Sequence, residues 1–186
     1  MHRHEWGGPT PAMMEDDDNR LVCRSRGCGA RRDEAKSRKA RSSVRMGKDN
    51  ERRLERVYGP TKVGERGDAV DLVGNFWKWQ SKASRADVPA KLRRIMTIEA
   101  LDDPPDYILK PLYDMAPLYP MLSPLLVRSF VRQGLPTRDF IYVPKADWLV
   151  ANHVDPSDAL EQTNGNIGLY VMTGEHFRLS VGRDEW

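Results

Sequence analysis

The sequence predicts a mixed α/β fold, an α+β sandwich of one domain behind a basic amino-terminal arm. Three observations point there. An amphipathic helix leads into an alternating, aromatic-rich hairpin. Helical and strand patterns then interleave to the carboxyl end. The 186 residues suffice for one core that stands alone, with a tail to spare.

The elements follow in order. Residues 43–58 read as a helix ended by Gly59-Pro60, with Leu54, Val57 and Tyr58 at i, i+3 and i+4 as its apolar stripe. A connection bearing Gly64 and Gly67 leads to a short apolar run, 69–73. Gly74-Asn75 is the expected two-residue turn into the strand 76–82. Helices are expected over 88–100 and 106–115, separated by Asp102-Asp103-Pro104-Pro105. Strands over 125–131 and 140–143, a short helix over 146–152 and a final hairpin from 168–172 and 177–181 complete the reading. The sequence has no internal repeat.

Residues 1–42 read as a disordered arm and 43–186 as the domain. The arm is Gly/Pro-bearing, then acidic at 15–18, then dense in Arg, Lys and Ser with almost no large apolar residue. Residues 20–56 hold 14 Lys/Arg against 5 Asp/Glu, an excess of nine in a chain whose net charge is only +3. A basic segment beside a near-neutral body is the footprint of a polyanion binder, and it runs directly into the residues with most chemistry.

Two cysteines, Cys23 and Cys28, are too few for a disulfide framework and fit a reducing compartment. A structural zinc needs four ligands, and only His2 and His4 lie nearby, so the thiols are read as reduced and no zinc site is expected. The amino terminus lacks the apolar core of a signal peptide. The longest apolar stretch, 115–131, is broken by Pro117, Pro120 and Pro124 and carries Arg128. No membrane span is expected, and the cytoplasm is the expected compartment.

The hairpin offers hard oxygen ligands and cations together, the set that phosphodiester hydrolysis with a divalent metal requires. Alternation puts Phe76, Lys78, Gln80 and Lys82 on one face and Trp77, Trp79 and Ser81 on the other, the tryptophans reading as core. With Gly74-Asn75 as the whole turn, Asp71 lies opposite Lys78 and diagonal to Gln80. Asp68 would face the other way, and one bulged residue would exchange the two. On the preceding helix Glu51 borders the apolar stripe more closely than Glu55, so Glu51 is the acid able to reach a cleft. Glu55 reads as an ion-pair partner of the neighbouring arginines.

The strings GKDNERRLERVYG, GERGDAVDLVG and FWKWQSK resemble the PD-(D/E)XK nuclease superfamily, and look most similar to its Holliday junction resolvase-like nucleases of phage type. In that pattern a Gly precedes an acid–Arg pair on the first helix (Gly47, Glu51, Arg52). An Asp then starts the second motif (Asp71), and an acid-x-Lys lies on the next strand (Gln80-Ser81-Lys82). Pro89, the string PLLVRSFV and the string FIYVPKADWL are similar to later parts, so the likeness spans residues 47–149.

The resemblance implies a restriction-endonuclease-like mixed-sheet core, Mg²⁺ or Mn²⁺, hydrolysis of phosphodiesters in branched DNA, and a homodimer. Asp71 (Asp68 in the alternative) and Gln80 would hold metal, Lys82 would orient water or stabilise the transition state, and Glu51 would assist. Arg52, Lys78 and Arg85, with Arg41, Arg45 and Lys48 of the basic run, are the expected DNA contacts. Two positions depart from the pattern: Val70 stands where a Pro is usual, and Gln80 where an acid is usual. Two further classes remain open, a non-catalytic nuclease-fold DNA-binding protein and a phage accessory or assembly protein whose arm touches DNA.

Overall fold

The computed structural model describes residues 6–7, 22–23, 32–63, 68–163 and 168–181. They fall into two compact units, Met1–Met46 and Gly47–Trp186, a boundary slightly beyond the one expected at 42/43. In the first unit β1 (Trp6–Gly7) pairs antiparallel with β2 (Val22–Cys23). Helix α1 (Arg32–Tyr58) also begins there, well ahead of the expected start at 43. Its first turns are rich in Ala, Arg and Lys and contain no Gly or Pro before Gly47. A composition that reads as a charged tail is thus equally that of a good helix. The helix stops where expected: Gly59 takes φ 84° and its N–H donates to the Glu55 carbonyl at 2.9 Å, with Pro60 next.

In the second unit a seven-stranded mixed sheet runs in the order β3 (Thr61–Lys62), β4 (Leu72–Val73), β5 (Trp77–Ser84), β7 (Ser123–Phe130), β8 (Arg138–Pro144), β9 (Leu169–Thr173), β6 (Ile98–Leu101). Only β5 and β7 are parallel; every other neighbouring pair is antiparallel. The α/β class expected from the sequence is therefore the observed one. One face carries Leu72, Trp77, Trp79, Leu125 and Val127, covered by α1, α4 (Lys145–Ala151) and α6 (Gly174–Ser180). The other carries Leu126, Phe140 and Val171, covered by α2 (Ala90–Arg94) and α3 (Asp106–Met115). Helix α5 (Pro156–Gln162), which the sequence reading did not anticipate, packs against α4.

Three expected elements change. The helix expected over 88–100 ends at Arg94, and Ile98–Leu101 pairs with β9 as an edge strand, because hydrogen bonding to a ready sheet edge outweighs a weak helical preference. The strand expected over 177–181 is helical. Thr173 caps it by accepting the His176 N–H at 3.2 Å, and Phe177 and Val181, four residues apart, both reach the core while Leu179 faces solvent. The hairpin turn lies one residue further on, at Asn75-Phe76, closed by the Gly74 N–H donating to the Trp77 carbonyl at 2.8 Å.

Gly174 opens α6 in close contact with α1. A Cβ there would lie 2.0 Å from the Tyr58 hydroxyl oxygen and 3.0 Å from the Asp139 Cβ. Tyr58 is buried and cannot swing aside without losing its bond to Asp139. Gly174→Ala is therefore expected to destabilise the fold by about 1–3 kcal/mol, the usual cost of overpacking. Thermal unfolding checks this; an unchanged Tm would show that α6 and α1 do not meet at this contact.

Candidate active site

Leu54 and Tyr58 seat α1 on the tryptophan side of the sheet, with the Tyr58 and Trp79 ring centroids 5.6 Å apart. One helical turn before Leu54 the same stripe presents Asn50, a buried polar side chain that must find partners. Its Nδ2 donates to Ser81 Oγ on β5 at 2.8 Å and to Ser129 Oγ on β7 at 3.0 Å. Its Oδ1 accepts from Arg53 Nε at 3.2 Å and Nη2 at 3.0 Å. Arg53 in turn forms a two-point ion pair with Asp139 of β8, Nη1 to Oδ2 at 2.9 Å and Nη2 to Oδ1 at 2.6 Å. The Tyr58 hydroxyl donates to the same carboxylate at 2.9 Å. Burial and the adjacent Asp139 charge push the Tyr58 phenol well above its ordinary range.

This arrangement delivers Glu51 to the edge of the sheet. The Glu51 side chain is 16% exposed and ion-paired with Lys62 of β3. Glu55, expected to pair with helix arginines, instead accepts the Lys62 backbone N–H at 2.8 Å. Of the expected apolar stripe, Leu54 and Tyr58 are buried and Val57 is 38% exposed.

Asp71 precedes β4, and the register Leu72↔Trp79, Val73↔Lys78 places it directly opposite Gln80. The expected register was shifted by the misplaced turn, but by two residues, which leaves each side chain on its expected face. Asp71 is tied to β5 twice: its N–H donates to the Trp79 carbonyl at 2.9 Å, and its Oδ2 accepts the Ser81 N–H at 2.7 Å. Burial raises the Asp71 carboxyl above the usual carboxylate range, the nearby Glu51 charge adds to the rise, and the Ser81 N–H, Lys82 and Lys62 oppose it. Glu51, Lys62, Asp71 and Lys82 thus form one electrostatic cluster.

Gln80 is 7% exposed, and its Oε1 is buried without a hydrogen-bond partner. An orphaned buried acceptor costs about 1–3 kcal/mol, so it marks a place where a donor or cation would be welcome. Among the described residues no three His, Cys, Asp or Glu side chains gather into a metal-binding group. The set here is two carboxylates, Glu51 and Asp71, plus the Gln80 amide oxygen. Hard oxygens of this kind are the donor type that divalent cations such as Mg²⁺ or Mn²⁺ take, here with less negative charge than three acids would bring.

The other expected residues disperse. Lys78 is 2% exposed, and its ammonium donates to the carbonyls of Ala116 at 3.1 Å, Leu118 at 2.7 Å and Tyr119 at 3.4 Å. It satisfies the open carbonyls after α3 and is not placed to contact DNA, which corrects the sequence reading. Asp68 is exposed and lies before β4, away from the register that pairs Asp71 with Gln80. Arg52 is exposed beside Asp49 at 3.8 Å. Arg85 is exposed just past β5, Lys48 is exposed on α1, and Arg45, also exposed, belongs to the first unit. The Arg41 side chain and Cys28 lie outside the described residues, and Cys23 is described only as part of β2.

Sequence reasoning missed Asn50, Arg53, Lys62, Ser129 and Asp139. Only Asn50 gave a signal, a polar residue four positions before Leu54 on an apolar stripe. Compared with protein-family models, curated proteins and solved structures, the chain matches none. Among the described residues no helix is long and apolar enough to cross a membrane.

Asp71→Asn keeps an acceptor for the Ser81 N–H but removes the buried charge. Because the folded carboxyl is raised, its favourable contribution is complete at acid pH and is lost as pH climbs through the folded value. The variant is therefore expected to melt higher than the parent at neutral pH, with the gain fading as pH falls into the ordinary carboxylate range. Melting curves across that interval test it; a Tm difference independent of pH would reject burial as the cause.

Proposed function

We propose that the chain is a metal-dependent DNA endonuclease of the PD-(D/E)XK type, resembling the Holliday junction resolvase-like nucleases, that hydrolyses phosphodiesters of branched DNA with Mg²⁺ or Mn²⁺. One observation carries this reading: Asp71 and Gln80 stand opposite each other on adjacent strands, with Lys82 further along that face and Glu51 brought in from α1. The helix–hairpin–helix–strand order implied by the resemblance has a counterpart in α1, β4–β5, α3 and β7, which supports a restriction-endonuclease-like core.

Asp71, Gln80 and Glu51 would hold the cation, whose chemistry is to polarise the scissile phosphate and activate water. Ser81 fixes the Asp71 carboxylate through its backbone N–H, so the ligand is oriented beforehand. Lys82, exposed and close enough to act on the Asp71 charge, supplies a cation for the charge developing on phosphate. Exposed Arg52, near Glu51 in sequence, and Arg85, just past β5, would offer phosphate contacts. A homodimer, as the resemblance implies, would present two such sites to a branched substrate. Gln80 favours a second reading, a nuclease fold that binds DNA without cutting it, because an amide contributes no charge to metal binding.

Cleavage of four-way junction, flap, nicked and linear DNA with Mg²⁺ and with Mn²⁺ decides between them. Lys82→Ala and Asp71→Ala are each expected to lower turnover by about 100-fold or more while DNA binding persists. Normal turnover in either folded variant would reject the assignment. Gln80→Glu is expected to reach activity at lower Mg²⁺, as added ligand charge tightens the site. Absence of both metal binding and cleavage in the parent and in Gln80→Glu would establish the non-cutting reading.

A further inference from the structure

Beyond Asn50 and Arg53 on α1 lies a cavity of about 590 Å³ bounded by α1, the segment between α2 and β6, the start of β8 and the start of α6. Its volume lies within the range of ligand sites and exceeds what a lone phosphate or water molecule needs. Its apolar lining is Val57, Ile95 and Met96, with the Tyr58 ring. Met96 is 81% exposed, so this lining shows a large side chain to solvent that the core does not use.

Much of the rest of the lining is charged, with a cationic excess. Arg53, Arg138 and Arg178 line the cavity with Asp139 and Glu175, three positive charges against two negative. Arg53 and Asp139 cancel in their own ion pair. Arg138 lies over the Phe140 ring, 5.6 Å from its centroid, and neither it nor Arg178 has a carboxylate partner among the described residues. The cavity lining therefore combines two guanidinium groups free of carboxylates with apolar side chains, and Thr137 and Thr173 add neutral hydrogen-bonding groups.

We infer that this cavity is a second nucleic-acid subsite, which takes one nucleotide of an unpaired DNA strand with its phosphate on Arg138 and Arg178 and its base against the apolar lining of Val57 and Met96. Guanidinium groups suit a phosphate, and a base needs only an apolar or aromatic surface once it leaves the duplex stack. A strand segment is the occupant that the nuclease reading supplies, and the cavity wall is linked to the acidic cluster through hydrogen bonds. Arg53 in the wall bonds Asn50, Asn50 bonds Ser81, and the Ser81 N–H bonds Asp71. Arg53 and Val57 of the lining lie within about two turns of Glu51 on α1, on the other flank of its buried stripe, so a strand reaching both places crosses the helix. The choice of DNA as ligand rests on the nuclease reading; the site itself uses no metal and none of Glu51, Asp71, Gln80 or Lys82.

The test is binding without cleavage. Fluorescence anisotropy with labelled oligothymidylate, a blunt duplex and free thymidine monophosphate is measured on the full chain in EDTA, for the parent, Arg138→Ala/Arg178→Ala and Met96→Asp. Melting curves serve as the folding control. Oligothymidylate affinity is expected to fall about tenfold in the double variant, with the salt slope reduced by about 0.7 for each lost phosphate contact. Met96→Asp is expected to weaken the single strand while the duplex is unaffected. Unchanged oligothymidylate affinity in the folded variants overturns the proposal, as does equal loss for duplex and single strand or tighter binding of the free mononucleotide than of the strand. If the arginine variant does not fold, Met96→Asp decides alone, since that side chain lies in solvent. Cleavage by the parent together with unchanged binding in the variants refutes the subsite and leaves the nuclease reading intact. Selective loss of single-strand binding in a protein that never cleaves does the reverse.

Discussion

Arg53 enters the interface between α1 and the sheet with a charge that an apolar interface would reject, and Asp139 of β8 is the group that neutralises it. The Asp139 carboxylate is 5% exposed and takes both terminal nitrogens of the guanidinium plus the Tyr58 hydroxyl, while Ser129 and Asn50 satisfy what remains of Arg53. Such a pair is a poor source of net stability but a strong constraint, because removing one partner strands the other at a cost of about 3–5 kcal/mol. It therefore fixes how α1 rotates on the sheet. That rotation decides that Asn50 points at Ser81 and that Glu51, its neighbour, emerges at the edge beside Lys62 and Asp71. Gly174 is the corollary on the far side, where α6 approaches the same tyrosine too closely for a Cβ.

Where side chains alternate, the sequence was informative. Trp77 and Trp79 belong to the core and Gln80 and Lys82 to the face of Asp71, although the turn lies at Asn75-Phe76 and not at Gly74-Asn75. The face survived because moving a two-residue turn by one position moves the register by two. What sequence could not supply were contacts between distant segments. Asp139 is an ordinary strand residue until Arg53 reaches it from 86 positions away. The strand at Ile98–Leu101 exists because β9 offers an edge, and a single chain's local pattern cannot announce its partner. In α6, an apolar residue at every second position disguised a spacing of four.

The acidic cluster is costly to the fold in two ways that point in one direction. Asp71 is held ionisable where burial opposes its charge, and Gln80 Oε1 is buried without a donor. The Ser81 N–H offsets part of the first cost, but a neutral acceptor at 71 would keep that bond, and an apolar residue at 80 would remove the second. Unrelieved polar strain of this kind, concentrated at two residues facing each other across adjacent strands, is the pattern expected where a ligand supplies what the protein withholds. A cation between them would answer both deficits together, and a proton on Asp71 would answer only one.

Lys78 and Lys82 show how burial and not residue type separates a lysine committed to the fold from one left available on this hairpin. They share one face of β5, four residues apart, and the sequence treats them alike. The turn following α3 closes over the beginning of the strand, so Lys78 is spent on the carbonyls of Ala116, Leu118 and Tyr119, where burial also pushes its ammonium down. The end of the strand carries no such cover, and Lys82 stays in solvent with its charge acting on Asp71. Ser81, between Gln80 and Lys82, turns its hydroxyl to α1 and its N–H to Asp71, and so joins the support of the helix to the chemistry of the hairpin in one residue. A strand that gives its first lysine to the fold and its last to the site needs the register of β4 to keep Asp71 beside the second. That register is held by the paired backbone of Leu72 and Trp79 and by the Asp71–Ser81 bond itself.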